Sequence, residues 1–359
     1  MPTETTSALT RDGLDIASVR ILRLAFGTAA SLWFSQAVSW ELSFVAPVMT
    51  MFILALPMPA PRLKTGVGLV AALVLAFAAG LFVLPRILHQ PMVGFLLLGL
   101  MLYWSFYIPA KGGPAAIGTL LTMGLAFSTA IGTVNVDAIL LVVKAVIFGA
   151  VAGIAFVWLA HAVLPDSLAG VARPAQPARP PPPKKPNAAD ARWNAFRSLM
   201  IVLPIGLWFL LSGASAAYAP VMIKVATMGQ QASKDDTQRA GRSLIMSTVI
   251  GGVGAIVGWQ VLRIAPTLPV YTLIVGLAGL IAGRRIFRGK GMAPDAATWS
   301  YGYLTMLVIL IPAAVDSAFG AAAGGKFIDR LIMFLLATVY AVVAVYVMDV
   351  LRPRRARDR

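Results

Sequence analysis

The sequence predicts an all-α polytopic membrane protein of about 12 transmembrane helices, built as two parallel six-helix repeats. Three observations predict it. The chain of 359 residues is 59% apolar and only 12% charged, where an average soluble protein carries about 25% charged residues. Its apolar residues fall in continuous runs close to the roughly 20 residues that cross a bilayer core. Four landmarks of the first half recur in the second at nearly one offset. A soluble globule of this length could not hide so much apolar surface, and the mean hydropathy of +0.82 agrees. Strands that cross a membrane alternate apolar and polar residues over about 10 positions, and these runs do not alternate.

Taken in order, the first six predicted spans are 17–36, 42–57, 65–84, 92–109, 114–133 and 138–162. The second six are 196–212, 215–229, 240–262, 267–283, 299–315 and 327–350. The spans at 42–57 and 215–229 are short and each carries a central proline. The first span is longer than a usual signal-peptide core and eleven more follow, so it is read as retained. Between the sixth and seventh spans the composition changes. Residues 165–191 hold eight prolines, including Pro180 to Pro183, with Arg173, Arg179, Lys184 and Lys185. Such a segment resists helix and sheet and reads as an extended linker. The domains are therefore 1–164, the first membrane repeat; 165–191, a cytoplasmic linker; and 192–359, the second repeat with a basic tail.

The repeat rests on named positions. Ala46-Pro47-Val48-Met49 returns as Ala219-Pro220-Val221-Met222, 173 residues later. Leu32-Trp33-Phe34 returns as Leu207-Trp208-Phe209 after 175, Arg23 as Arg197 after 174, and Lys64-Thr65-Gly66 faces Arg239-Ala240-Gly241 at 175. Four landmarks in one order outweigh any single apolar match. An even number of spans returns the second half to the same side, which makes the repeat parallel.

Charge sets the topology. With the N-terminus inside, 24 of the 30 Lys and Arg residues fall on the inner side, 4 on the outer side, and Lys144 and Lys224 within spans. This satisfies the positive-inside rule and accounts for the net charge of +16 without nucleic acid. Both termini and the linker are thus expected in the cytoplasm.

The chain has no cysteine and two histidines, His89 and His161. Disulfides, thiolate chemistry and a histidine-rich metal site are excluded as expectations. No phosphate-binding loop, H-E-x-x-H, G-x-S-x-G or S-x-x-K motif appears in a fitting context, so no enzyme activity, cofactor or metal is expected. None of the fourteen acids lies at the centre of a span. Glu41 and Asp316, at outer ends, are the available proton-coupling candidates; otherwise they are solvated loop carboxylates. Lys144 and Lys224 either draw an anionic substrate or snorkel to an interface. Arg23 and Arg197, paired by the repeat, either line the path or anchor the inner ends. Pro47 and Pro220 are read as mid-span prolines. Broken helices at matching places in two halves point to a translocation site, and a packing kink is the alternative. A cavity between the halves, near Pro47 and Pro220 and reached by Lys224, is the expectation. Glycine pairs at Gly149/Gly153, Gly254/Gly258 and Gly279/Gly283 read as helix-packing motifs.

Several of these pieces together resemble a known group. They are Arg20-x-x-Arg23 opening the first helix, a proline-containing second helix, and Lys64-Thr65-Gly66-x-Gly68 opening the third. Arg197, Pro220 and Arg239-Ala240-Gly241 form the second copy. The chain is similar to the fusaric acid resistance and aromatic acid exporter superfamily of bacterial inner-membrane proteins. A departure is the short proline-rich linker, where many members carry a large soluble domain. The resemblance implies export of aromatic or other hydrophobic carboxylates. Such anions would gather at a cytoplasmic basic mouth of Arg23, Arg62, Lys64, Arg197, Arg239 and Arg242. It also implies a periplasmic membrane-fusion-type adaptor leading to an outer-membrane channel, because the outer loops are too short to cross a periplasm. Two rivals differ in class. A major-facilitator-like carrier shares the six-plus-six plan, but Asp236-x-x-Arg239-Ala240-Gly241-Arg242 has the wrong spacing for its inner-loop signature. A membrane-embedded lipid transferase would need clustered acids or a histidine base near one face.

Overall fold

A computed structural model describes residues 15–39, 42–132, 139–169, 187–211, 225, 228, 237–289, 291–317 and 323–351. Among them the chain forms eleven α-helices. The first six are α1 (Ile16–Ala37), α2 (Val45–Leu54), α3 (Leu63–His89), α4 (Pro91–Ala110), α5 (Ala115–Gly132) and α6 (Ile139–Val163). The others are α7 (Ala188–Leu211), α8 (Thr237–Ile264), α9 (Leu268–Ile286), α10 (Ala296–Ser317) and α11 (Ala323–Val350). A short 3₁₀ turn, Asp166–Ala169, follows α6. The described strands are a two-residue pair, β1 (Phe287–Arg288) and β2 (Gly291–Met292), which closes a hairpin between α9 and α10.

Eight of these helices contain a stretch long and apolar enough to cross a bilayer. Their outer surfaces are apolar too: Phe82 is 69% exposed, Leu96 75% and Leu273 70%. Soluble monomers rarely leave contiguous apolar patches beyond a few hundred Å² open to water, whereas lipid accepts them. The protein is an all-α, multi-pass membrane protein.

Local chemistry places the helix ends. Pro91 opens α4, where the absent N–H would have no helical partner. The α3–α4 turn closes on Gln90, and Gly94 fits against it; a Cβ there would lie 2.4 Å from the Ile87 backbone nitrogen. Pro269 lies in the first turn of α9.

The expected span at 42–57 is corrected. The helix there, α2, has only ten residues, about 15 Å at 1.5 Å per residue. It starts at Val45, so Pro47 sits in the first turn rather than mid-span. A proline in the first turn removes no intrahelical bond, so Pro47 does not break this helix. The partner span at 215–229, with Pro220 and Lys224, lies almost entirely outside the described residues, as does Glu41.

Helix pairing is ordered. In the first half α3 packs on α4, α5 and α6, and α1 on α2 and α6. In the second half α8 packs on α10 and α11, and α11 on α7. Between the halves, α1 packs on α9 and α7 packs on α4. The three glycine pairs are packing devices. A Cβ on Gly149 or Gly153 would meet Val45 and Met49 of α2 at 2.8 and 2.7 Å. On Gly254 or Gly258 it would meet Met306 and Leu310 of α10 at 3.0 and 2.9 Å. Gly279 and Gly283 lie on Ala25 and Ile21 of α1, so this pair holds one half against the other.

Candidate functional site

The end of the bundle at which α1 and α8 begin gathers several arginines. Arg23 is 3% exposed. Its Nη2 donates to Asp166 Oδ1 at 2.5 Å and its Nε to the Leu164 carbonyl at 2.6 Å. The guanidinium therefore closes the end of α6 and the 3₁₀ turn over α1, and its charge is neutralised by Asp166. This assigns Arg23 a structural task in place of the open mouth expected of it. Asp166→Asn should keep the fold but lower thermal stability in detergent, because a buried guanidinium loses a charged hydrogen bond, a contribution of about 1.5–3 kcal/mol. An unchanged melting temperature would contradict the assignment. Arg197, in α7, is buried. Arg62 and Lys64, at the start of α3, are exposed.

Arg239 and Arg242 are brought together with a residue the sequence did not single out. They line a cavity of about 660 Å³ with Arg285, Asp295 and Trp299. α8 opens with Arg239 and Arg242 one turn apart, α9 carries Arg285 in its last turn, and the hairpin returns the chain to α10, which places Trp299. The Arg285 guanidinium sits 5.4 Å over the Trp299 ring, a cation–π contact. Trp299 Nε1 donates to Asp295 Oδ2 at 3.1 Å. Ser243 and Thr298 share a hydrogen bond of 2.9 Å in the same wall. Three guanidinium groups and one carboxylate leave this cavity with positive charge beside an aromatic face. In the first half, Lys111 lies 5.9 Å over the Tyr107 ring at the corresponding end of α4.

Lys144 faces outward from α6, on the exposed side shared with Phe148 and Val151. It is outside the packed interior, and a place close to a helix end suits snorkelling; the path role expected of it is not supported. Asp316 lies in the last turn of α10. The cavity on α2 is small, about 40 Å³, lies within the first half between α2, α3, α5 and α6, and is walled by apolar groups such as Val48, Phe77 and Met123. It offers nothing to an anion.

A polar track on α1 escaped the sequence reading. Thr28, Ser31 and Ser35 are fully buried and share one helix face by their spacing of three and four. Ser35 Oγ donates to the Ser43 carbonyl at 2.9 Å, and Gln36 Nε2 to Ser43 Oγ at 2.8 Å. The Ser31 hydroxyl has no hydrogen-bond partner among the described residues. Hydroxyls in helices are common, so nothing in the pattern marked these positions. Among the described residues no group of three or more His, Asp or Glu side chains could hold a metal.

Residues 20–160, less than half of the chain, match the model of a family described as a protein of unknown function, DUF2955. No curated protein matches the chain, and no solved structure does.

Proposed function

We propose that the protein is an efflux transporter of the bacterial inner membrane that exports small organic anions, aromatic or hydrophobic carboxylates above all. The observation that carries this reading is the inner cavity, where Arg239, Arg242 and Arg285 stand beside the Trp299 ring. A carboxylate pairs with guanidinium donors, and an aromatic ring packs on an indole face. The reading keeps the resemblance to the aromatic acid exporters as its family expectation.

The proposed architecture is 12 spans in two parallel repeats. The reciprocal pairing of α1 with α9 and α7 with α4 supports it, since a two-fold axis along the membrane normal generates each contact from the other. The termini and linker are proposed to be cytoplasmic. Reporter fusions after Arg86, Arg263 and Gly320 should all read outside, and an inside signal at two of them would overturn the topology.

The described outer connections are short: α3 meets α4 at Gln90, and α8 meets α9 through residues 265–267. Little protein is left there to span a periplasm, which supports a membrane-fusion-type adaptor and an outer-membrane channel as partners. Cells expressing the protein should accumulate less labelled benzoate than cells without it. Equal accumulation would count against export. Recovery of the chain alone under gentle extraction, with full acid resistance in cells lacking every adaptor, would remove the partner from the account.

A further inference from the structure

A second cavity lies at the opposite end of the molecule, and none of the residues singled out for the substrate path belongs to it. It has a volume of about 450 Å³ and joins the halves: Gln36 comes from the end of α1, while Trp259, Arg263, Thr267 and Tyr271 come from the α8–α9 corner and Ala314 from α10. That volume falls in the range of small-molecule sites, about 300–1,000 Å³.

Its chemistry is selective. Arg263 is exposed and its described hydrogen bond, 3.4 Å to Gln260 Oε1, goes to a neutral group. The guanidinium thus keeps donors for a carboxylate. Tyr271 is 5% exposed and adds its ring to the wall. Trp259 supplies an aromatic wall and is held in place by stacking on Phe327, with ring centroids 5.3 Å apart and planes within 8°. Gln36 is fixed by Ser43, at the end of the buried track of Thr28, Ser31 and Ser35.

We propose that this outer cavity is a second binding site for a small aromatic carboxylate, with Arg263 pairing the carboxylate and Trp259 packing on the ring. The inference rests on the transport reading, in which the cavity is the release site of an exported acid. Because its walls come from both halves, a shift of one half against the other alters the site.

The absence of cysteine allows a clean test. Thr267→Cys gives one thiol at the cavity, and its reaction with a membrane-impermeant maleimide is followed in liposomes of neutral phospholipid, with benzoate or benzamide as probe. Benzoate slows labelling and benzamide does not. Arg263→Gln weakens the benzoate effect about tenfold, the loss expected when a hydrogen bond to a charged group is removed. Unchanged labelling at saturating benzoate, in protein that still transports it, overturns the site and leaves the transport reading standing. Protection by benzoate without any transport leaves the site and removes the reading beneath it. Equal protection by benzamide, or protection seen only with anionic lipid present, overturns carboxylate recognition.

Discussion

Export of an aromatic carboxylate should fall at least about tenfold when Arg239 and Arg242 are both replaced by glutamine, since an excess of one sign of charge around a cleft raises ligand encounter by roughly 10 to 1,000-fold and this pair supplies the excess over Asp295. Two of the three guanidinium groups of this cavity are removed, and Arg285 remains beside Trp299. The loss should appear in KM, because the role proposed for the cavity is to gather the acid rather than to move it. The residual transport should also depend less on ionic strength, since exposed charges act within a Debye length of about 8–10 Å. Arg288, exposed on β1 and absent from the cavity wall, is the control. Arg288→Gln should leave KM unchanged. If both variants weaken transport equally, bulk surface charge rather than this cavity gathers the substrate.

Gly279→Leu should have the second large effect, on stability and transport together. A Cβ at Gly279 would lie 2.9 Å from the Ala25 Cα. Backbone cannot swing aside as a side chain can, so α1 and α9 must separate. Overpacking of this kind costs about 1–3 kcal/mol. Helices in lipid associate mainly through such close approach of small residues, with little hydrophobic force to compensate. Gly276, one turn away in the same contact, is the counterpart: its Cβ would meet the Ala29 Cβ at 3.5 Å, an ordinary contact. Gly276→Ala should be tolerated, and Gly279→Leu should lower the melting temperature in detergent and abolish export. Equal tolerance of both would mean that the halves are not held together here.

Much of the fold was legible because lipid imposes a simple rule. Most continuous apolar runs that the structure describes became helices close to their expected bounds, as at α1 and α6, although α7 begins at Ala188, ahead of the expected start at 196. The glycine pairs read correctly because close helix approach needs small residues at a spacing of four. Pro47 was misjudged because hydropathy marks where a run begins and not where its helix does; three preceding residues in turns moved the proline from mid-span to the first turn. Lys144 could not be placed, since a lysine within an apolar run has the same pattern on a lipid face as on an inner one. The Arg23–Asp166 pair joins residues 143 apart, and the cavity of Arg239, Arg242 and Arg285 depends on a hairpin that hydropathy does not register. Arg263 counted only toward topology, and Tyr271 was one tyrosine among eight; only tertiary placement gives them a common cavity.

The central claim is that this chain moves an aromatic carboxylate anion across a bilayer. The direct measurement is counterflow: liposomes containing only this protein are loaded with unlabelled benzoate and diluted into a trace of labelled benzoate at a pH well above its pKa. The account predicts a transient accumulation of label above equilibrium, reduced in the Arg239→Gln/Arg242→Gln protein and absent when the liposomes hold benzamide. A trace that matches protein-free liposomes, with the protein folded and correctly inserted, would contradict it.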